Sequence, residues 1–283
     1  GVIAELGAGV EELQVGQRVT VEPSLVCGIC RHCRSGRYNI CDRLRVIGCQ
    51  ADGALAEYIV VPASKVIPLP DDIPFEEGAM VEPAAVGVHA VRRANVSAAE
   101  RVAIIGAGTI GLMTLQAAVA LGARETIITD TIDERLAVAR SVGATHTVNV
   151  QTIDLPDWMT EQYGERNPFG MSFECVGLEN PLDDALRIAQ KGARIIAVGV
   201  YPGKLPVAMH WVQDRELEII GCLMYVRDDF LTAIDLIRQG KIQTRPIISR
   251  QAPLEHVVEV FAGFRQGPGA AIKTLIDIAP HRR

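Results

Sequence analysis

Four cysteines crowd into a short polar stretch near the start of the chain. Cys27, Cys30, Cys33 and Cys41 fall within fifteen residues, while the other three of the seven cysteines are scattered. Two short spacers followed by a longer one let a loop wrap four thiolates around a single tetrahedral ion. Four sulfur ligands close such a site to water and substrate, so we interpret the cluster as a structural zinc site that orders its loop.

Two disulfides, idle thiols and an iron–sulfur cluster are the alternatives for these cysteines. A bacterial iron–sulfur motif has its fourth cysteine after three residues, followed by proline. Here seven residues precede Cys41 and Asp42 follows it. His32 lies inside the loop, but four thiolates already complete the shell of a zinc ion. The spacing therefore favours zinc.

A glycine-rich turn forms the second chemical motif. Gly106, Gly108 and Gly111 stand in the sequence Gly-Ala-Gly-Thr-Ile-Gly, with Ile110 before the last glycine, between an apolar strand-like run and a helical run. The first glycine permits a tight turn, the second lets a pyrophosphate approach the backbone, and the third lets helix and strand pack closely. The context predicts a dinucleotide at the N-terminus of a helix.

An acid follows this motif at the distance that a dinucleotide site requires. Asp130 ends the next predicted strand, 19 residues after Gly111, where a carboxylate can accept both ribose hydroxyls, although a helix cap is the alternative. A carboxylate there repels a 2′-phosphate, so the sequence favours NAD over NADP. Arg135 lies in the following helix and either reaches the adenine and ribose region or is a solvated helix residue.

Two kinds of periodicity surround these motifs. Up to about residue 70 the chain consists of short strand-like runs, at 2–6, 18–22, 54–61 and 65–69. These runs predict a barrel-like all-β region. A helical segment from Phe75 to about Arg93 starts a second region. There, strands at 101–105, 125–129, 147–150, 171–175, 193–198 and 217–220 are interspersed with helices at 110–121, 133–142 and 181–189. This alternation predicts a doubly wound α/β domain with a parallel sheet.

The remaining chain continues with mixed elements. We predict a helix at 228–239, a strand at 247–249, a helix at 254–265 and a last strand at 271–278 that rejoins the first region. The residues therefore divide into a first domain at 1–84, a dinucleotide-binding domain at 85–222 and a returning segment at 223–283.

Composition limits the class of function. The chain has 283 residues, of which 48% are hydrophobic, and this excludes a mainly disordered protein. A formal net charge of -6 leaves no basic face for nucleic acid or anionic lipid. The sequence has no long apolar run and no signal-peptide pattern, so we expect a cytoplasmic enzyme that acts on a small molecule.

The order of these features resembles the zinc-dependent medium-chain alcohol and polyol dehydrogenases, above all the sorbitol and 2,3-butanediol dehydrogenases. The likeness covers the whole chain and includes the segments Val81-Glu82-Pro83 and Tyr225-Val226-Arg227-Asp228-Asp229-Phe230. It implies a Rossmann domain beside a partial GroES-like β-barrel catalytic domain, with zinc and NAD as cofactors. It also implies that Glu82 lies at the catalytic zinc and that further cofactor contacts come from Val198, Gly199, Val200, Leu223, Met224 and Tyr225.

One departure from the family concerns the catalytic zinc. Family members carry a segment before the point that matches Gly1, with a cysteine and a Gly-His-Glu run that supply the other zinc ligands. We therefore expect an N-terminally truncated chain with an incomplete catalytic site. His89, seven residues after Glu82 on an apolar helix, is interpreted as a hydrogen-bonded core histidine and not as a substitute ligand.

The leading interpretation is an NAD-dependent oxidation of a secondary alcohol, vicinal diol or sugar alcohol. Three alternatives stay open: a catalytically inactive protein that binds zinc and NAD, a threonine dehydrogenase, and a zinc-free quinone-type reductase, against which the thiolate loop and Glu82 argue. Members of the resembled family form dimers or tetramers, and the apolar strand at 217–220 is a candidate edge for a homo-oligomer.

Overall fold

The first part of the chain contains short strands and the cysteine-rich loop. A computed structural model describes residues 1–164, 168–264, 267 and 269–278. Its first strands are β1 (Val19–Val21), β2 (Ser24–Leu25), β3 (Arg45–Val46) and β4 (Val66–Pro68), with β1 antiparallel to β4 and β2 antiparallel to β3. The loop between β2 and β3 carries helix α1 (Arg31–Arg34) and a 3-10 turn (Tyr38–Ile40).

Two of the strands predicted for this region do not form. Val2 makes only an isolated antiparallel bridge to Arg18, and the stretch 54–61 has no strand at all. Tyr58 and Val60 in that stretch are 78% and 99% exposed. The prediction was wrong because alternating sequence alone does not make a strand, whose backbone groups need a paired neighbour. At the start of the chain the pairing with residues 16–19 reaches only from Gly1 to Ile3, and the described residues place no strand beside 54–61.

An apolar helix joins the two parts of the molecule. After the short helix α2 (Phe75–Gly78), helix α3 (Val81–Ala94) buries nine of its residues and packs against helices α4 and α9, which are bounded below. Gly87 makes the close approach to α4 possible, because a Cβ there would lie 2.7 Å from the backbone of Met113. Asn95 ends α3 in the left-handed conformation.

The second part is a six-stranded parallel sheet with helices on both faces. In chain order its elements are β5 (Arg101–Ile105), α4 (Thr109–Ala120), β6 (Glu125–Asp130), α5 (Asp133–Ser141), β7 (His146–Asn149), α6 (Leu155–Tyr163), β8 (Met171–Glu174), α7 (Glu179–Arg187), β9 (Arg194–Ala197), α8 (Met209–Asp214) and β10 (Glu218–Gly221). The strands lie in the order β7-β6-β5-β8-β9-β10, which is the Rossmann order. Strands β6 and β7 are added on one side of β5, and β8, β9 and β10 are added on the other. The switch point, where the strand order reverses, therefore lies between β5 and β8.

Side chains that alternate along the strands pack into two separate cores, one on each face of the sheet. Val102 and Ile104 of β5 belong to the core shared with α3, α4 and α9, while Ala103 and Ile105 point into the core beneath α6 and α7. Because both faces of a parallel sheet are covered, its strands read as continuous apolar runs. The predicted doubly wound α/β class is confirmed by this sheet.

The C-terminal part lies beside both regions. Helix α9 (Arg227–Arg238) is followed by β11 (Ile248–Pro253), α10 (Val257–Phe264) and β12 (Lys273–Asp277), and β11 pairs in parallel with β12. The end of the predicted helix at Arg265 falls outside the described residues. Thr109 at the start of α4 donates a hydrogen bond to the carbonyl of Ile272 at 2.9 Å, so the segment before β12 reaches the glycine-rich turn. None of the described helices is long and apolar enough to cross a membrane.

Candidate functional site

The four predicted zinc ligands come together. Their sulfur atoms all lie within 4.8 Å of one another, and three of the separations are 3.9 Å (Cys27 to Cys33), 4.0 Å (Cys30 to Cys41) and 3.5 Å (Cys27 to Cys41). An ion bound by four sulfurs at about 2.3 Å needs tetrahedral edges of about 3.8 Å. A disulfide needs about 2.05 Å, and all seven cysteines are free. The thiols therefore fit a closed zinc site and not a pair of disulfides.

Backbone amides lower the pKa of two of these cysteines, Cys27 and Cys30, whereas burial raises the pKa of Cys33 to about 12. Cys33 N lies 3.5 Å from the sulfur of Cys30, and the sulfur of Cys41 accepts from the amides of Cys27 and Arg43 at 3.4 and 3.3 Å. The amides of Cys33 and then Asp42 lower the pKa of Cys30 to about 6. Thiolates are the form that binds metal. Because α1 buries no residue, the loop has little core of its own and gains its order from the ligands.

The glycine-rich turn connects β5 to α4. Gly106 has a φ of 102°, and a Cβ on Gly111 would lie 1.8 Å from the carbonyl oxygen of Gly106. Gly108, the N-cap of α4, has nothing within 4 Å of the place where a Cβ would point. Ile110 is the second residue of α4 and is half-buried. The turn thus closes tightly at its two outer glycines and leaves open space at the middle one.

Asp130 fixes the glycine-rich turn by a hydrogen bond to its backbone. One carboxylate oxygen accepts a hydrogen bond from Ala107 N at 2.8 Å, and the other accepts from the amides of Thr131 and Ile132 at 2.8 and 3.0 Å. Arg135 lies 3.9 Å from the same carboxylate and donates to the carbonyls of Gly269 and Ala271 at 2.6 and 3.1 Å. Its guanidinium is therefore tied to the C-terminal segment.

A buried acid that the sequence reasoning missed lies at the switch point of the sheet. Glu174 ends β8, is fully buried, and accepts from Val176 N at 2.7 Å, Gly177 N at 2.9 Å and the hydroxyl of Tyr201 at 2.6 Å. Its backbone carbonyl also accepts from the amides of Val198 and Gly199. A carboxylate at the end of a short strand that was predicted for the sheet was the available signal.

Two loops follow the last strands of the sheet at the same edge. The loop after β9 contains Val198, Gly199 and Val200, and the turn after β10 contains Leu223, Met224 and Tyr225. Gly199 is packed against the loop that follows β8, since a Cβ there would lie 2.2 Å from Gly177 N. Ligands of doubly wound sheets bind beyond the carboxyl ends of the strands, so both loops border the crevice.

Glu82 and Tyr225 meet between the two regions. The Tyr225 side chain is fully buried, and its hydroxyl donates to Oε1 of Glu82 at 2.9 Å. Burial raises the pKa of Glu82, against the opposing effects of the Tyr225 hydroxyl and Lys273. A catalytic zinc needs about three protein ligands. Among the described residues only the four cysteines form a group of three or more metal-binding side chains, so these residues do not by themselves make a catalytic zinc site around Glu82.

His89 is hydrogen-bonded within the core region, as its interpretation as a core histidine predicts. Its Nδ1 lies 2.7 Å from the carboxylate of Asp229, which is 2% exposed, and its Nε2 lies 3.4 Å from Nδ2 of Asn39. Arg92 donates to the other oxygen of Asp229 at 2.8 Å. Together these residues connect α3, α9 and the cysteine-rich loop.

Comparison with known proteins agrees with this geometry. The family model described as "Zinc-binding dehydrogenase" matches residues 109–239, and the model described as "Alcohol dehydrogenase GroES-like domain" matches residues 1–71. The chain is 36% identical to L-idonate 5-dehydrogenase of Vitis vinifera, over 98% of this chain and 77% of that protein. It is also 36% identical to sorbitol dehydrogenase of Arabidopsis thaliana, over 98% of this chain and 78% of that protein.

The structural comparison leads to the same family. A putative zinc-binding dehydrogenase from Sinorhizobium meliloti, solved with NADP, superposes with a TM-score of 0.90 at 31% identity, over 98% of this chain and 81% of that one. The chain belongs to the zinc-binding dehydrogenases. Among its relatives within this family are a sorbitol dehydrogenase and an L-idonate 5-dehydrogenase. The predicted family and fold class are thereby confirmed.

Proposed function

We propose that the chain oxidises a secondary alcohol of a polyol, sugar alcohol or vicinal diol with NAD as the hydride acceptor. The observation that carries the proposal is the glycine-rich turn held by Asp130 at the switch point of the sheet. It lies on the same edge as the turn after β10, in which Tyr225 donates to Glu82. NAD, when bound, supplies the nicotinamide ring that accepts hydride. The chain supplies the groups that hold and orient the cofactor.

The adenosine half of NAD would lie on the first half of the sheet. We place its pyrophosphate over the N-terminus of α4, where backbone amides and the helix dipole favour negative charge. The residues proposed for this contact are Gly106, Gly108, Ile110 and Gly111. Asp130 would accept a ribose hydroxyl, for which its carboxylate keeps about one lone-pair site beyond its three amide contacts.

The choice of NAD over NADP also rests on Asp130. Its negative charge disfavours a 2′-phosphate. Arg135 is the nearby cation, but it already donates to two carbonyls of the C-terminal segment. A cation engaged in this way offers a 2′-phosphate little compensation.

The nicotinamide half would face the second half of the sheet. We propose contacts from Val198, Gly199, Val200, Leu223 and Met224, and from the backbone of Tyr225, whose side chain is buried. Glu82 is the residue that we propose for the reaction centre, with Tyr225 fixing its carboxylate. The described residues do not form a complete catalytic zinc site around Glu82, so the proposed role of Glu82 includes no step on a bound zinc.

Three further assignments belong to the same proposal. Zinc in the loop of Cys27, Cys30, Cys33 and Cys41 is structural, and free thiols of this kind suit the reducing cytoplasm. The proposed domains are 1–84, 85–222 and 223–283.

A homo-oligomer would form through β10, which is an edge strand of the sheet. Three residues of this strand are exposed, Glu218, Ile219 and Gly221.

The first experiment combines elemental analysis with a cofactor titration and an activity assay. We expect about one zinc per chain, quenching or enhancement of NADH fluorescence on binding, and reduction of NAD with sorbitol, 2,3-butanediol or L-idonate. Turnover with L-threonine alone would replace the polyol with an amino-acid substrate. Absence of NADH binding would refute the proposed function as a whole.

A second candidate function is a protein that binds zinc and NAD without catalysis. The observation that favours it is that Glu82 lacks partner ligands among the described residues. It predicts one zinc and normal NADH binding with no turnover of any alcohol. Turnover of any of these alcohols, whatever the zinc content, would exclude it.

A further inference from the structure

The cysteine-rich loop touches the turn that follows the last strand of the large sheet. The 3-10 turn Tyr38–Ile40 lies between Cys33 and Cys41, and it meets the segment 223–227 after β10. Asn39 Nδ2 donates to the carbonyl of Leu223 at 2.8 Å, and the amide of Arg227 donates to the hydroxyl of Tyr38. We name this contact the loop junction. It joins residues 184 positions apart in the chain.

Asn39 is well placed to fix the turn. It is a polar residue, only 6% exposed, in a loop that otherwise has little buried surface. A carbonyl can only accept, so the nitrogen of the Asn39 amide must face Leu223. The second hydrogen on that nitrogen points to Nε2 of His89, 3.4 Å away. Nε2 is then an acceptor, and Nδ1 of His89 donates to Asp229 at 2.7 Å.

Asp229 closes this chain of hydrogen bonds on the far side of the turn. The oxygen that accepts from His89 also accepts from Val226 N at 3.0 Å. The turn is therefore held at Leu223 by Asn39 and at Val226 by Asp229, with His89 linking the two. Both anchors act on the backbone, so they set the path of the turn.

The turn itself is strained and needs such anchors. Met224 has a φ of 49°, in the left-handed region, and it is not a glycine. This conformation is disfavoured for a residue that carries a Cβ. It persists only where the surroundings determine it, and strained residues of this kind cluster at ligand sites. Here Leu223 on one side is held by Asn39, and Tyr225 on the other by Glu82.

The position of the turn gives the junction a function. Residues 222–226 follow the carboxyl end of the sixth parallel strand, on the half of the sheet that takes the second mononucleotide. We propose that Asn39 is a positioning residue for the nicotinamide half of the cofactor, so that metal binding in the cysteine-rich loop and NAD binding at the sheet strengthen each other. This inference rests on the proposed function.

The coupling can be measured on the unchanged chain. Zinc affinity is determined by competition with a chromophoric chelator, with and without saturating NADH, while NADH affinity is determined by fluorescence in the zinc-loaded protein. Coupling between sites is reciprocal, and typical couplings span about 5- to 150-fold. We expect NADH to raise the zinc affinity about 5- to 10-fold, near the low end because the junction consists of few hydrogen bonds. An equal zinc affinity in both conditions would overturn the inference.

Variants at Asn39 test its role directly. Asn39→Ala removes the donor, and Asn39→Asp keeps the shape but cannot donate to Leu223. We expect both variants to bind NADH about 5- to 10-fold more weakly at full zinc content, and NADH to have no effect on their zinc affinity. The control is Ser35→Ala, in the same loop, whose hydroxyl donates only to the carbonyl of His32. It should keep both affinities and the coupling.

The outcomes separate this inference from the proposed function. If the unchanged chain does not bind NADH, the proposed function fails and the inference fails with it. If NADH binds normally but the Asn39 variants keep the wild-type affinity and coupling, only the inference fails. If an Asn39 variant does not fold, the coupling in the unchanged chain still decides.

Discussion

Gly108 and Gly111 lie in the same turn, but alanine at the two positions should have different consequences. At Gly111 a Cβ would lie 1.8 Å from the carbonyl oxygen and 2.9 Å from the carbonyl carbon of Gly106. Both are backbone atoms, so relief requires the turn to move. Overpacking of this kind costs about 1–3 kcal/mol and occasionally more. We expect Gly111→Ala to lower the free energy of unfolding by at least about 3 kcal/mol, the upper part of that range.

At Gly108 the same substitution meets no protein atom. Its φ of -74° is ordinary for alanine, and no atom lies within 4 Å of the added Cβ. Restriction of the unfolded chain stabilises by about 0.4–1 kcal/mol, but alanine is a poorer N-cap than glycine, so we expect the free energy of unfolding to change by less than about 1 kcal/mol. The methyl group would instead occupy the space that the pyrophosphate needs. A clash of about 1–3 kcal/mol in the complex corresponds to about 5- to 150-fold weaker NADH binding.

Urea unfolding and NADH fluorescence titration measure the two effects separately. Gly263→Ala is the control, since Gly263 lies on exposed α10 with open space around it, and it should leave NADH binding unchanged. Wild-type NADH affinity in Gly108→Ala would show that the pyrophosphate does not lie on this turn. Wild-type stability in Gly111→Ala would refute the close packing of α4 on β5.

Three further predictions concern stability. Glu216, exposed and with a φ of 53°, should gain about 0.5–1 kcal/mol on change to glycine, and an unchanged urea midpoint would contradict this. Burial raises the pKa of Glu125, but hydrogen bonds led by that from Tyr163 outweigh it and lower the pKa. Its contribution is therefore present above the unfolded value of about 4.3 and is lost as the pH falls through the lower folded value, so Glu125→Gln should flatten the acid side of a pH series of urea midpoints. Asp229→Asn should lose about 1.5–3 kcal/mol, because a buried carboxylate bonded to His89 loses its charge, and a loss under 0.5 kcal/mol would argue against that network.

Local signals in the sequence were sufficient for the large sheet and for the cysteine site. The inner strands β5, β6 and β8 are mostly buried, and the spacing of Cys27 to Cys41 lets one loop bring four sulfurs together without help from the rest of the chain. The stretches 2–6 and 54–61 show the limit of such signals. Their composition suits strands, but strand pairing depends on a neighbour that composition does not specify.

Contacts between distant residues were the part that the sequence did not predict. Asn39 gives no chemical signal in its loop, and its role appears only when Leu223, far along the chain, is brought against it. Glu174 is visible as a carboxylate after an apolar run, but its partners Gly177 and Tyr201 are defined by the meeting of two loops. A residue that holds another residue in place is recognised from the fold and not from spacing.

Asp130 shows why stability and cofactor choice are linked at this site. An ionised carboxylate offers about four lone-pair sites. Three amides, from Ala107, Thr131 and Ile132, already use three of them. The residue that would recognise the ribose therefore also fixes the turn through Ala107, so the turn is ordered before the cofactor arrives. If Asp130 is replaced to admit a 2′-phosphate, the hydrogen bond from the amide of Ala107 that fixes the turn is lost. A change of cofactor preference at this position therefore requires a new acceptor for that amide.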